Sequence, residues 1–336
     1  MRNTRVEQPL RQSPLTKSQA HAGMFVWAAL VGASFPAVEL MSQGLPPLLL
    51  TSLRFAIAVL ALCPLVYIRS STMKMEAVWP GAASMTLYAF LGLCLAGFFG
   101  AMFWAAHNTT PLTMATLYVS VPLLAYTMGR SLSLERKAVS LLGLLVLGAV
   151  GALGLAWAEA DRSGMGHKPG VAEAVFFIGC LASAAYPVLS KWGMSRNLLS
   201  SSAERRTLWS LLCGSILVGL LGLMLEDVHA LTHLNVVDLS LLIYLGVFSS
   251  AATFYLQQRA SAVLSPSEVT SYSYLIPFVS MLLLFLDQPQ EMSWRWLPGS
   301  LLVIAAIVGL LYQSRTHPSV RTLNSFAPTS AVQISK

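Results

Sequence analysis

The stretch AGMFVWAALVGASFPAVELMS, residues 22–42, decides the fold class of this chain. It contains a single ionisable residue, Glu39, and has the length at which a helix crosses the hydrocarbon core of a membrane, about 20 apolar residues. Similar stretches recur to the end of the sequence, separated by short polar breaks. Only 10% of the 336 residues are charged, against about 25% in an ordinary soluble domain. The sequence therefore predicts an all-α integral membrane protein.

Hydropathy over a window of helix length predicts ten transmembrane helices. The third and fourth are separated only by the polar turn from His107 to Pro111, and without that turn the count would be nine. The predicted spans are 22–42, 46–68, 81–105, 110–130, 138–158, 170–191, 207–225, 237–258, 264–286 and 296–313.

The basic residues predict how these spans are oriented. With both termini on one side, 17 of the 21 Lys and Arg residues fall on that side, three fall on the other, and Arg54 lies inside the second span. Cytoplasmic loops retain Lys and Arg, so this alternation predicts cytoplasmic termini in the inner (plasma) membrane of a bacterium. It also explains the net charge of +7 without a nucleic-acid partner, since the basic residues form no single patch.

The chain also resembles itself. Gly32-Ala-Ser-Phe-Pro36 matches Ser183-Ala-Ala-Tyr-Pro187, and a second aromatic-proline segment follows each of them after 86 and 90 residues, at Tyr118 to Pro122 and at Tyr274 to Pro277. This spacing predicts two repeats of five helices. An odd number of helices forces the second repeat to enter from the opposite side, so the repeats are inverted, a plan typical of secondary transporters.

The repeats predict the domain boundaries and four helix breaks. A proline leaves the carbonyl four residues before it without its usual partner, and such a carbonyl can bind solute or water; the alternative is a kink that serves packing alone. The predicted helix breaks are Pro36, Pro122, Pro187 and Pro277. The predicted domains are repeats 21–158 and 170–313, an outer linker 159–169, and disordered cytoplasmic tails 1–20 and 314–336.

Residues 24–54, MFVWAALVGASFPAVELMSQGLPPLLLTSLR, followed by Phe55 and Ala56, resemble the opening of the EamA-type transporters of the drug/metabolite transporter superfamily. The segments 104–135 and 258–277 resemble the closing parts of the two repeats in that family, and the likeness extends over about residues 22–313. The resemblance implies ten helices in two inverted repeats, a central solute cavity, and import or export of metabolites. The acidic Glu39 and the pair Ile276-Pro277 depart from the common pattern.

Two sets of residues are candidates for a solute site. Glu39 and Arg54 are the ionisable residues well inside the spans, and their helices form a hairpin, so they are interpreted either as a stabilising ion pair or as a pair that binds solute or couples transport to protons. Aromatic residues form the second set, with ordinary helix packing as the alternative. The predicted substrate-binding residues are Phe35, Trp104, Tyr118, Tyr186, Tyr255 and Tyr274.

These features predict a secondary transporter that exports small organic metabolites, amino-acid-like or drug-like, by alternating access. The sequence lacks nucleotide-binding and hydrolase motifs, which disfavours an ATP-driven pump and a membrane-embedded enzyme; a channel-like permease is the main alternative. The expected partners are the solute, the lipid bilayer and protons. We expect no cofactor and no metal, because His229 and His233 have no third ligand at a suitable spacing.

Overall fold

The structure, a computed structural model, describes residues 15–73, 79–106, 108, 111–135, 138–160, 170–287 and 294–316. Within these ranges every regular element is a helix. Its thirteen α-helices are α1 Lys17–Glu39, α2 Pro47–Met73, α3 Ala82–Ala106, α4 Pro111–Tyr118, α5 Val121–Ser131, α6 Val139–Ala160, α7 Val171–Ser195, α8 Ala203–Leu225, α9 Val236–Tyr244, α10 Thr253–Ser261, α11 Pro266–Ser271, α12 Leu275–Asp287 and α13 Leu297–Thr316.

Four shorter elements complete the described chain. Turns of 3₁₀ helix occupy Val228–His233, Tyr272–Tyr274 and Trp294–Trp296, and a π-helical segment, Leu245–Ala252, joins α9 to α10. The helix α1 begins at Lys17 and α13 ends at Thr316, so both extend into the segments predicted as tails. The remaining predicted tail residues, 1–14 and 317–336, and the linker residues 161–169 lie outside the described residues.

Seven helical segments of the described chain are long and apolar enough to cross a membrane. They coincide with the first, second, third, sixth, seventh, eighth and tenth predicted spans. The fifth predicted span corresponds to α6, whose apolar part, Val139–Leu155, is shorter. The fourth and ninth are each divided into two helices. The all-helical membrane fold is thus confirmed, whereas ten crossings remain a prediction.

Helix starts are fixed by capping. The Thr16 side chain accepts a hydrogen bond from the Gln19 amide, and the Gln19 side chain accepts one from the Thr16 amide, which forms a capping box at the start of α1. The start of α2 is capped from another helix: the carboxylate of Glu226, just after α8, accepts from the amides of Leu48 at 2.7 Å and Leu49 at 2.8 Å. This cap joins the two halves of the chain.

The four prolines have different effects on their helices. Pro122 lies in the first turn of α5, directly after the break at Val119 and Ser120, and Pro277 lies in the first turn of α12, after the 3₁₀ turn. Pro36 and Pro187 lie inside continuous helices, α1 and α7. A helix in a membrane tolerates proline when neighbours satisfy the freed carbonyl.

The carbonyl freed by Pro36 has such a neighbour. The Ser280 hydroxyl of α12 donates to the carbonyl of Gly32, four residues before Pro36, at 3.4 Å. This contact joins α1 in the first half of the chain to α12 in the second.

The two halves pack mainly against each other. The most extensive contacts join α2 to α8, α3 to α7 and α8, and α6 to α13, each time a helix before residue 160 to one after residue 170. Between α6 and α13 the approach is close enough that a Cβ on Gly151 would lie 2.8 Å from the amide nitrogen of Val303, and one on Gly299 would lie 2.8 Å from the carbonyl oxygen of Gly151. The structure is therefore one bundle in which the halves are interleaved.

Candidate functional site

A cavity of about 560 Å³ lies at the end of the bundle where α1 turns into α2. We call it the vestibule. Its walls are the turn from Met41 to Pro47, Val38 and Leu50 on either side of that turn, Phe103 of α3, and Glu226, Asp227 and Ala230 after α8. The volume falls within the range of about 300–1,000 Å³ typical of small-molecule sites.

Hydrogen bonds hold the rim of the vestibule. Both carboxylate oxygens of Glu226 accept from backbone amides of α2, as described above. Asp238 of α9 accepts from the Ser42 amide at 2.9 Å and from the Ser42 hydroxyl at 2.8 Å. The turn between α1 and α2 is therefore attached to the segment between α8 and α9.

Arg54 lies one helical turn below the vestibule. It follows the wall residue Leu50 by four positions on α2, and Phe99 precedes the wall residue Phe103 by four positions on α3, so each pair shares a helix face. The guanidinium carbon of Arg54 lies 5.3 Å from the centre of the Phe99 ring and 5.7 Å from that of Phe55. Arg54 and these rings lie one turn further into the bundle than the wall residues and are not part of the vestibule lining.

Aromatic contacts connect the rings around Arg54 to two of the predicted site residues. Phe99 packs edge-on against Phe98 at 5.2 Å between ring centres, and Phe98 lies 5.6 Å from Tyr118, whose hydroxyl faces the Ser183 side chain of α7. On the other side, Phe254 of α10 lies 5.9 Å from Phe55 and 5.7 Å from Tyr186. The structure therefore brings Arg54, Tyr118 and Tyr186 into one aromatic cluster contributed by five helices.

A buried polar network closes the opposite end of α8. Arg206 has none of its surface exposed and donates four hydrogen bonds: to the side chain of Gln258 at 3.1 Å, to its carbonyl at 2.8 Å, and to the carbonyls of Ser200 and Ser201 at 2.7 and 2.9 Å. The Gln258 amide donates in turn to Tyr186 and Ser190, both at 2.9 Å. We call this set of residues, with Ser210 beside Tyr186, the latch.

The latch joins three helices. Tyr186 and Ser190 belong to α7, Arg206 and Ser210 to α8, and Gln258 to α10. All four hydrogen bonds of the Arg206 guanidinium are accepted by uncharged oxygens. The network therefore stabilises a buried positive charge without a carboxylate in these bonds. Tyr186 thus lies between the aromatic cluster and the latch.

Three other predicted site residues make none of the contacts described above. Tyr274 is 99% buried and packs against the α6 backbone at Gly148, and its hydroxyl has no partner among the described residues. Trp104 remains 45% exposed, and Tyr255 is half-buried on α10. Phe35 and Glu39 belong to α1, but their side chains lie outside the described part of the structure, so the predicted pair of Glu39 and Arg54 remains a prediction.

The sequence interpretation missed the latch. It placed Arg206 in a loop, because the apolar window begins at residue 207, whereas α8 begins at Ala203. The sequence contained one indication of this network. Gln258 ends an otherwise apolar span, and its side-chain amide needs a polar partner there.

A second carboxylate links the halves at the latch end of the bundle. Glu135, in the loop between α5 and α6, accepts from the amide and the hydroxyl of Ser267 at 2.9 and 2.7 Å, at the start of α11. Desolvation raises the pKa of this carboxyl, since the side chain is 94% buried, and the hydrogen bonds from Ser267 only partly offset that effect. The negative charge of Glu268 raises the pKa further.

Interleaved apolar helices with buried polar networks between them are features of a multi-pass membrane protein. Residues 171–312 match the model of the EamA-like transporter family. Over these residues the match confirms the resemblance predicted from the sequence, and that family consists of membrane transporters of the drug/metabolite superfamily.

A solved structure with a similar fold supports the architecture. The structure, titled only "Crystal structure of protein", superposes with a TM-score of 0.74, covers 90% of this chain and 99% of its own, and is 18% identical in sequence. At that identity the likeness concerns the fold alone. None of the curated proteins compared with the chain matches it.

Proposed function

We propose that the protein is a secondary transporter that exports small organic solutes across the bacterial inner membrane by alternating access. The observation that carries this proposal is the vestibule, with Arg54 and the aromatic cluster one helical turn further into the bundle. A solute-sized cavity close to one cation and several aromatic rings suits small amphipathic metabolites.

We propose further that the chain crosses the membrane ten times as two inverted repeats of five, α1 to α6 and α7 to α13. The packing supports this: when each span is replaced by the span five places along, most contacting pairs map onto contacting pairs. The pair α3 and α7 maps onto α10 and α1, the pair α1 and α12 maps onto α7 and α5, and α6 and α13 map onto each other. Inverted repeats supply two related conformations with opposite access.

The two ends of the bundle differ as alternating access requires. The vestibule lies at one end of α8 and the latch ties α7, α8 and α10 together at the other. With cytoplasmic termini, the vestibule faces the periplasm and the latch closes the cytoplasmic end. The described conformation is then open to the outside. A channel-like permease would need a path open at both ends.

A trapped latch tests the mechanism. In a background whose four cysteines are replaced, Ser190→Cys and Gln258→Cys place one thiol on α7 and one on α10. Comparing metabolites in cells that lack and overproduce the protein identifies the solute, and counterflow of that solute into preloaded vesicles measures transport. A short bifunctional thiol reagent should abolish counterflow in the double variant and cause no further change in the counterflow of either single variant.

Two outcomes would contradict the proposal. Transport that continues undiminished with the latch crosslinked excludes a gate at that end. Single-channel currents carried by the solute, with no counterflow, establish a channel instead.

A further inference from the structure

A second cavity, of about 220 Å³, lies at the opposite end of the bundle from the vestibule, between the start of α3 and the start of α8. We call it the interfacial cavity. Its exposed wall residues are Trp79, Gly81 and Asn197, and its buried ones include Arg205 and Trp209. Both helices are long and apolar enough to cross a membrane. The interfacial cavity therefore lies where two spans begin, at the level of the lipid headgroups.

The size and the opening of the interfacial cavity suit one end of a ligand. Its volume is below the range of about 300–1,000 Å³ typical of small-molecule sites. Its mouth is open, since Trp79 is 74% exposed and a Cβ on Gly81 would meet nothing within 4 Å. A molecule that places only its headgroup in this cavity and keeps the rest in the bilayer fits both features.

Aromatic rings form the apolar side of the interfacial cavity. The ring centres of Trp79 and Trp209 lie 5.3 Å apart, and the ring of Tyr88 lies 6.5 Å from that of Trp209. Tyr88 and Trp209 are buried and lie nearly two turns into their helices, so the cavity deepens toward the hydrocarbon core. Tryptophan and tyrosine are enriched where the bilayer meets water, because their rings are amphipathic. These rings suit the glycerol and the first acyl carbons of a lipid.

Arg205 supplies the charge of the interfacial cavity. Only 5% of its surface is exposed, so its charge acts where most water is excluded and electrostatic attraction is stronger. A guanidinium carries five N–H donors in one plane, so Arg205 can bind a phosphate with two of them and keep hydrogen bonds to the protein with the others. Ser84 and Ser200 add hydroxyl groups to the same wall.

The charge balance around the interfacial cavity favours an anion. Residues 196–206, between α7 and the first turn of α8, contain three arginines and one glutamate. That glutamate, Glu204, is buried and already engaged. Aromatic rings also attract quaternary ammonium groups, but Arg205 repels a cation in the same space. With the predicted cytoplasmic termini, the cavity faces the cytoplasmic leaflet, where basic pockets between helices bind anionic headgroups.

We propose that the interfacial cavity binds the headgroup of an anionic phospholipid of the cytoplasmic leaflet. Arg205 holds the phosphate, and the rings of Trp79 and Trp209 contact the glycerol and the first acyl carbons. A lipid in this position joins α3 of the first half of the chain to α8 of the second. The site is separate from the vestibule, and the inference does not depend on the proposed transport function.

Lipids with matched chains test the proposal. Dioleoyl phosphatidylglycerol and dioleoyl phosphatidylcholine are added to the purified protein in a neutral detergent, and the thermal unfolding midpoint is followed against lipid concentration. Phosphatidylglycerol should stabilise the protein in a saturable way and bind about tenfold or more tightly than phosphatidylcholine. Inorganic phosphate has no chains to hold it at the cavity and should cause no comparable shift. Equal stabilisation by the two lipids, or by phosphate and phosphatidylglycerol, would overturn the proposal.

Variants place the effect in the interfacial cavity. Arg205→Gln should abolish the preference for phosphatidylglycerol. Arg259→Gln, which removes an exposed positive charge at the same end of the bundle, should keep it, and this control separates a site from general attraction between a basic protein and an anionic lipid. Trp79→Ala removes an exposed side chain and should weaken phosphatidylglycerol binding about threefold or more.

The number of bound lipids gives a second measurement. In native mass spectrometry the wild type should retain one phosphatidylglycerol more than Arg205→Gln. A preference that survives Arg205→Gln would refute the assignment. If Arg205→Gln does not fold, unchanged phosphatidylglycerol binding by Trp79→Ala would refute it.

Discussion

Arg206 and Gln258 are joined by two hydrogen bonds, from Nε to the side-chain Oε1 at 3.1 Å and from an Nη atom to the backbone carbonyl at 2.8 Å. The pair holds the start of α8 against α10 with no exposed surface on either side chain. The contribution of this pair to the free energy of unfolding follows from the hydrogen-bonding groups that each substitution would leave unpaired.

Gln258→Leu should lower the free energy of unfolding by about 3 kcal/mol or more, since it removes one bond to a buried charge and leaves Tyr186 and Ser190 without their donor. Thermal unfolding of the purified protein measures the loss. Gln258→Glu is the matched control: its carboxylate can accept from Arg206, Tyr186 and Ser190, so it should cost clearly less. A leucine variant as stable as the glutamate variant would contradict this view of the latch.

Tyr186 and Tyr274 should respond differently to loss of their hydroxyls. Tyr186→Phe removes the group that bonds Ser210 and Gln258, at a cost of about 1 kcal/mol. Tyr274→Phe should be neutral or slightly stabilising, because that hydroxyl is buried without a described partner. Unfolding midpoints of the two variants, measured side by side, decide the matter; a larger loss for Tyr274→Phe would show that its hydroxyl is engaged.

Glu135 predicts a pH dependence of stability. Its pKa in the folded state is raised above the reference value of 4.5, so the stability it contributes is fully present below about pH 4.5 and is lost as the pH rises through the folded-state pKa. Glu135→Gln should remove this dependence while its carbonyl oxygen still accepts from Ser267.

The measurement is the unfolding midpoint of wild type and variant from pH 4 to pH 8. The neighbouring charges Glu268, Lys191 and Arg130 are common to both proteins, so the difference between the two curves isolates Glu135. Wild type should lose stability relative to the variant as the pH rises, and parallel curves would contradict the prediction.

Gly151 should not tolerate a methyl group. Its Cβ would lie 2.8 Å from the backbone of α13, so Gly151→Ala must push the two helices apart, at a cost of about 1–3 kcal/mol. Gly143→Ala on the same helix is the control, because a Cβ there meets nothing within 4 Å, and alanine favours the helix. Equal unfolding midpoints for the two variants would show that the α6–α13 contact can relax.

The sequence was sufficient for much of the fold, for physical reasons. A helix in a membrane must be apolar and about 20 residues long, so hydropathy located the seven described segments that are long and apolar enough to cross a membrane. The breaks near Pro122 and Pro277 were also predictable, because proline removes a backbone donor. The sequence did not show that the helices continue through Pro36 and Pro187. At Pro36, the freed carbonyl of Gly32 is satisfied by Ser280, which is 248 residues away along the chain.

The candidate site was predictable only in part. Arg54, Tyr118 and Tyr186 were found because charges and tyrosine hydroxyls are costly in a dry span. Arg206 was missed because hydropathy places an arginine beside an apolar run in the aqueous loop. In the structure Arg206 is completely buried, and hydrogen bonds to backbone carbonyls and to Gln258 satisfy its charge. Which side chains meet across helices depends on packing, which the spacing of one sequence does not specify.

The interleaving of the halves has a consequence for synthesis. The principal neighbours of α2, α3 and α6 all lie after residue 170, so these helices enter the membrane before their partners exist. Until the second half is synthesised, Gly151 lacks its contact with Gly299, and the start of α2 lacks the cap that Glu226 provides. A nascent chain halted midway would therefore have unpaired helix surfaces in the membrane. Chaperones and proteases would recognise those surfaces until the second half of the chain is inserted.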